Sequence, residues 1–331
     1  MPRCSLLYAT LISSSDHIQR IITRILPFIL HAQASMALNK TNDENNLACL
    51  EAMCSQEDAI ATCNYLKLSP NNIIDEKCRT AMVGWYQEIA MKLGLRPNTL
   101  WIAISFFDRY LSSGKGKSRA ALQDKYLFQL AAITTFYIAV KLYEDFEFSI
   151  DTLSKIIKGY YSKEDILLLE VDILSCLDHC LSIPTPLDFS RLLVMFLPHD
   201  IQVSKVDLLD ECQRKVAYTS TDMYFTLCKP SVVGASCLLS TLIDIDIMSS
   251  AQRRTFYSKI ASVVDLVDVI QAQKRLLVKT KCSKPPPPSM KKKKKSSAVS
   301  KVKVASHPKV KFVVPKDQSK LCINNILPRA A

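Results

Sequence analysis

Three short stretches of this 331-residue chain hold residue types that could do chemistry. Ser112-Ser113-Gly114-Lys115-Gly116-Lys117-Ser118 carries the glycines, lysines and hydroxyls of a phosphate-binding loop. Such a loop needs a glycine five residues before its Gly-Lys-Ser, and it follows a strand, so that backbone N–H groups converge on the phosphate. Position 111 is leucine and the residues before it have helical periodicity, so no nucleotide site is expected. Cys176, His179 and Cys180 are the nearest approach to a metal cluster, but structural zinc takes four ligands at defined spacing, and no second pair lies nearby. The five histidines are scattered, and neither a Gly-x-Ser-x-Gly elbow nor a kinase catalytic loop is present. The expectation is a binding module, not an enzyme, with no catalytic residue, cofactor or metal.

Two charges point to recognition instead. Lys141 ends the uncharged run Leu130–Val140, and Glu170 stands among leucines in Ile-Leu-Leu-Leu-Glu-Val-Asp-Ile-Leu. Around Glu170 the apolar stripe is Ile166, Leu169, Ile173 and Leu177, and Glu170 is four residues after Ile166, on the stripe. A carboxylate there is costly unless it is paired or lies at the edge of an exposed patch. Lys141 taken alone is an ordinary helix-end lysine, favoured by the helix dipole and free to snorkel. Glu170 taken alone is equally a solvated-face residue.

The elements that position these residues are helices. Hydrophobic residues make up 48%, there are only 6 glycines, and Leu, Ile and Ala are abundant, which argues against turn-dense β architecture. Helices are predicted over 46–68, 73–92, 99–112, 125–143, a short stretch after Ser149, and 163–178, the last opened by Ser162 and Asp165 as a capping box. Residues 112–124 read as a polar basic linker with no assigned role. After Pro184 and Pro186 the pattern restarts, with helices near 187–196, 203–226, 230–243, 250–259 and 262–278. No 30–45-residue repeat is evident, so a solenoid is not expected. The outline is an N-terminal extension (1–45), two successive sets of about five helices (46–182 and 183–278) and a tail (279–331).

The formal net charge of +12 is concentrated in that tail, which carries fourteen lysines, Arg329 and the single acid Asp317; the rest of the chain is net −2. The tail carries four prolines (285–288) and then Lys291, Lys292, Lys293, Lys294 and Lys295, read as a disordered nuclear-import segment, with non-specific nucleic-acid contact or mere solvation as alternatives. Twelve cysteines without regular spacing read as free thiols. The apolar N-terminal segment is broken by Arg20, Arg24 and Pro27, so it does not reach the roughly 18–20 uncharged residues of a membrane span; it reads as a signal peptide or organellar presequence, or as a stretch upstream of a start at Met36. Ser69-Pro70 is a candidate for proline-directed phosphorylation.

Four segments in order resemble the cyclin box: Cys-Arg-Thr-Ala-Met-Val-Gly-Trp (78–85), Ile-Ser-Phe-Phe-Asp-Arg-Tyr-Leu-Ser-Ser (104–113), the segment 128–145 with Gln129 twelve residues before Lys141, and 161–177. Lys229-Pro230-Ser231 opens a segment (228–242) similar to a helix of the second cyclin fold, and the overall look is closest to D-type, G1 cyclins. The resemblance implies an all-α fold of two consecutive five-helix cyclin folds and a disordered basic C-terminal tail. It implies a non-catalytic regulatory subunit that activates a cyclin-dependent Ser/Thr protein kinase in G1/S control, in nucleus and cytoplasm, with no membrane and no specific nucleic acid as partner.

By the same resemblance Lys141 and Glu170 are the kinase-binding pair, and Arg79 and Asp108 an internal ion pair. Met82, Trp85, Glu88 and Gln129 would line a substrate-docking groove, altered by Cys78 and Ala81, or Met82 and Trp85 are simply core. Leu47, Cys49 and Glu51 match the Leu-x-Cys-x-Glu motif for a retinoblastoma-like pocket protein, which reads it as an extended peptide, although this stretch is predicted helical. An import receptor would read the lysine run. Rival readings are a transcription-type or nutrient/phosphate-signalling cyclin, and a cyclin-fold transcription factor on DNA, which a body of net −2 speaks against.

Overall fold

The computed structural model describes residues 43–282 except 59, 61, 199, 200, 202, 262 and 263. Nearly all of the extension, and the lysine run 291–295, lie outside these residues. Thirteen α-helices, three short 3-10 turns and no strand occur among the described residues: α1 Asp43–Asp58, α2 Glu76–Leu93, α3 Pro97–Ser113, α4 Ser118–Ala121, α5 Lys125–Tyr143, α6 Ile150–Ile156, α7 Lys163–Cys176, α8 Pro186–Leu193, α9 Lys205–Thr219, α10 Met223–Thr226, α11 Pro230–Ile245, α12 Ser250–Ile260 and α13 Leu266–Cys282.

Local chemistry sets most of the boundaries. Asp75, Asp124, Ser149, Ser162, Ser204 and Asp222 each accept a backbone N–H as N-caps. Thr185 with Asp188 and Ser249 with Gln252 form complete capping boxes at α8 and α12. The box expected at Ser162 is only half made: Ser162 Oγ accepts from Asp165 N at 3.0 Å, but it also donates to Asp165 Oδ2 at 2.7 Å. Proline occupies the first turn of α3, α8 and α11, where its missing N–H has no role.

Each repeat is built around one helix buried on all sides. In the first it is α5, where every residue from Phe128 to Val140 is buried. One helix among the described residues is long and apolar enough to cross a membrane, and it is this one, wrapped here by α2, α3, α4, α7 and the aromatic cluster Trp85, Tyr86, Phe107, Phe128 and Phe136. In the second repeat the hub is α11, buried from Ser231 to Leu242. It lies close on α8 because position 234 is glycine: a Cβ there would stand 2.4 Å from the Pro186 carbonyl oxygen.

Three expectations are corrected. The helix predicted over 46–68 stops at Asp58. The chain then crosses from one core to the other, since Leu50 and Met53 belong to the second core while Ile60 and Tyr65 belong to the first. The helix predicted over 203–226 breaks after Thr219, and Asp222 caps a new short helix. The linker 112–124 is not loose. It contains α4 and wraps the Asp172 side chain, which accepts from Tyr110 Oη at 2.8 Å and from Lys117 N at 3.0 Å. The glycine- and lysine-rich stretch that looked like a phosphate loop thus cradles an internal carboxylate.

Candidate partner-binding site

Lys141 sits in the last turn of α5 and Glu170 in the middle of α7, and the packing of these helices brings them together: Lys141 Nζ donates to Glu170 Oε1 at 2.8 Å. The sequence marks both as charges in want of a partner. In the folded chain each is the other's partner. They are unequally placed, for the Glu170 side chain is 5% exposed and that of Lys141 26%. The ammonium also lies 4.7 Å from the centroid of the Tyr137 ring, one turn earlier on α5. Leu167, Leu168 and Val171 of α7 are exposed too, and Leu167, three residues before Glu170, shares its side of the helix. Charged anchors set in an apolar surface give register and partner choice.

Arg79 and Asp108 form an internal pair, as the resemblance implies. Arg79 Nε and Nη2 donate to the two Asp108 oxygens at 2.9 and 2.8 Å, and both side chains are buried. Tyr65 Oη donates to Asp108 Oδ1 at 2.7 Å. Burial first, and the Asp108 carboxylate next, push the Tyr65 hydroxyl well above the usual tyrosine range. The sequence did not reveal the third bond: Arg79 Nη1 donates to the Ser220 carbonyl of the second repeat at 3.0 Å. Gln87 Nε2 reaches Ser220 Oγ at 2.9 Å, and Asn98 Nδ2 reaches Asp188 Oδ1 at 2.7 Å, so the repeats meet through polar bonds. No spacing in the sequence signals these.

The four groove residues divide. Met82 and Trp85 are core, fully buried in the first repeat, and offer no exposed surface. Glu88 is partly exposed and paired with Lys92. Gln129 is buried, and its Oε1 accepts from Tyr161 Oη at 3.0 Å. Leu47, Cys49 and Glu51 lie within α1; Leu47 packs against the second core, Leu50 between them is fully buried, and Cys49 and Glu51 are exposed. α1 is held further by Glu57, whose carboxylate accepts from Ser231 N at 2.8 Å at the start of α11. Ser69 is no accessible modification site: it is buried, its Oγ donating to the Leu122 carbonyl and accepting from Ile74 N.

Comparison with known proteins follows the same outline. The family model "Cyclin, N-terminal domain" matches residues 48–182 and "Cyclin, C-terminal domain" residues 184–308, most of the chain between them. The chain is 32% identical over 187 residues to a G2/mitotic-specific cyclin-2 of Antirrhinum majus, covering 56% of this chain and 39% of the relative. It is 26% identical over 175 residues to Cyclin-A3-3 of Arabidopsis thaliana, covering 53% and 51%. Over 207 residues it is 26% identical to a G2/mitotic-specific cyclin-A1 of Caenorhabditis elegans, covering 61% and 39%. The chain spans about two fifths to one half of the length of these curated relatives. Their names are mitotic and A-type, where the look of the sequence suggested the D-type branch. Among solved structures, a viral cyclin from Herpesvirus saimiri shares the fold, with a TM-score of 0.52, 16% identity, and 63% of this chain and 86% of that chain covered.

Proposed function

This chain belongs to the cyclin family, and we propose that it binds and activates a cyclin-dependent Ser/Thr protein kinase through the surface centred on Lys141 and Glu170. The observation that carries this reading is the half-presented ion pair: a nearly buried carboxylate holds an ammonium at the surface, on a helix that also exposes Leu167, one turn before Glu170. Activation is a population shift. The chain binds the active arrangement of the kinase better than the inactive one and contributes no catalytic group of its own. The test is co-purification of a kinase with the wild-type chain and with Lys141→Ala/Glu170→Ala. Loss of kinase with unchanged helicity by circular dichroism supports the reading; undiminished kinase activity in the variant pull-down sinks it.

The phase of action is G1/S on the D-type look of the sequence, whereas the names of the matched relatives favour mitosis. Abundance through a synchronised culture separates the two. Nuclear entry is assigned to Lys291–Lys295, and a reporter fused to 279–331 tests it. Pocket-protein binding through Leu47, Cys49 and Glu51 requires α1 to leave the second core and extend. A peptide of residues 43–58 then binds a pocket protein more tightly than the intact chain does, and equal binding removes that coupling.

A further inference from the structure

The ammonium of Lys141 is held from two sides. Glu170 accepts one N–H, and the face of Tyr137 lies beneath, 4.7 Å from the nitrogen. Tyr137 is 5% exposed and wedged against Phe148, ring centroids 6.0 Å apart, so its plane is fixed before any partner arrives. Its hydroxyl makes no hydrogen bond among the described residues, so within this chain Lys141 meets the ring and not the phenol oxygen. Lysine is among the side chains that lose most rotamer freedom when fixed, and a partner meeting a loose lysine bears that ordering itself. A ring beneath the ammonium, with a carboxylate beside it, removes the need.

We propose that Tyr137 is a positioning residue of the partner site, an aromatic platform that holds Lys141 ready and thereby sets how tightly this chain takes its kinase. The proposal rests on the reading that Lys141 meets a kinase. Burial first, and the Glu170 carboxylate next, raise the phenol above its usual range, so the platform is a neutral phenol.

The test grades the ring without changing its shape. Position 137 is occupied in turn by phenylalanine and by mono-, di- and trifluorophenylalanine, and affinity is measured for the kinase that co-purifies with the wild-type chain. Tyr137→Phe retains wild-type affinity. Successive fluorines, which drain the ring face, weaken binding stepwise to about tenfold at three. A purely space-filling role would leave the series flat, and a flat series overturns the proposal. In the free wild-type chain the Lys141 Hε resonances are shifted upfield by the ring, and an unshifted signal overturns it as well, with no variant needed. Lys141→Ala is the separate control: if it leaves kinase affinity unchanged, the partner reading falls, whereas a weakened Lys141→Ala with a flat fluorine series removes the platform alone.

Discussion

Lys141 Nζ and Glu170 Oε1 lie 2.8 Å apart, and this is the only hydrogen bond the Glu170 carboxylate accepts among the described residues. The pair is therefore structural as well as presented. Lys141→Met strands a buried carboxylate and is expected to lower stability by about 2–3 kcal/mol, below the full figure for a wholly buried pair because the lysine reaches water. Lys141→Met/Glu170→Leu removes both charges and recovers most of the loss. Urea unfolding of the two variants checks this, and a double variant no more stable than the single would contradict it.

Arg79 serves three acceptor atoms in two repeats. A lysine there keeps the charge but not the planar fork, so Arg79→Lys is expected to cost roughly 3 kcal/mol. The effect should be read locally too: amide exchange around Ser220 should quicken more than around Trp85. Equal protection at both places would mean that Arg79 does not couple the repeats.

Glu57 supplies a pH dependence. Burial raises its carboxyl above the ordinary 4.5, against the lowering effect of the Ser231 bonds. A raised acid binds its proton more tightly folded than unfolded. Its stabilising contribution is therefore complete below 4.5 and is lost as pH rises through the raised value. Docking of α1 should weaken over that window, and Glu57→Gln, which can still accept from Ser231, should flatten the curve. Limited proteolysis after residue 58 across pH 4 to 7 on the order of half-unit steps reads it.

Two glycines make steric predictions. At position 234 an added methyl meets the Pro186 carbonyl oxygen at 2.4 Å and Phe189 Cβ at 3.0 Å, so Gly234→Ala should cost about 2–3 kcal/mol by forcing α11 off α8. At position 116 the backbone has φ +50° and the methyl would stand 2.2 Å from Asp172 Oδ1, so Gly116→Ala should release the basic loop. Thermal melts measure the first. Loss of protection at Lys117 N measures the second.

The parts of the fold that could be read from sequence were those with a single dominant cause. The hub helix over 125–143 has the predicted bounds because an uncharged run capped by Asp124 allows no other buried element. The stripe Ile166, Leu169, Ile173, Leu177 is buried as its spacing requires, and Glu170 is buried with it. Other features depend on contacts between distant residues. That Lys141 and Glu170 satisfy each other follows from how α5 and α7 pack, and that Arg79 reaches Ser220 follows from how the repeats meet. Tyr137 was within reach, since four residues before Lys141 is the same helix face. The end of α1 at Asp58 was not, because no proline or glycine marks it; the chain leaves the helix to reach another core.

The seat of α1 has a consequence for the order in which the protein is made. Glu57 meets Ser231, 174 positions later, so this early helix has no binding surface while the first repeat emerges from the ribosome. Until α8 and then α11 follow, the apolar side chains of Leu50 and Met53 have nowhere to dock, and chain growth at about 5–20 residues per second leaves them uncovered for on the order of ten seconds. Helix α1 is thus made before the first repeat and docks only after it, and a nascent chain stalled before residue 186 should be cut within α1 by a protease that spares the first repeat.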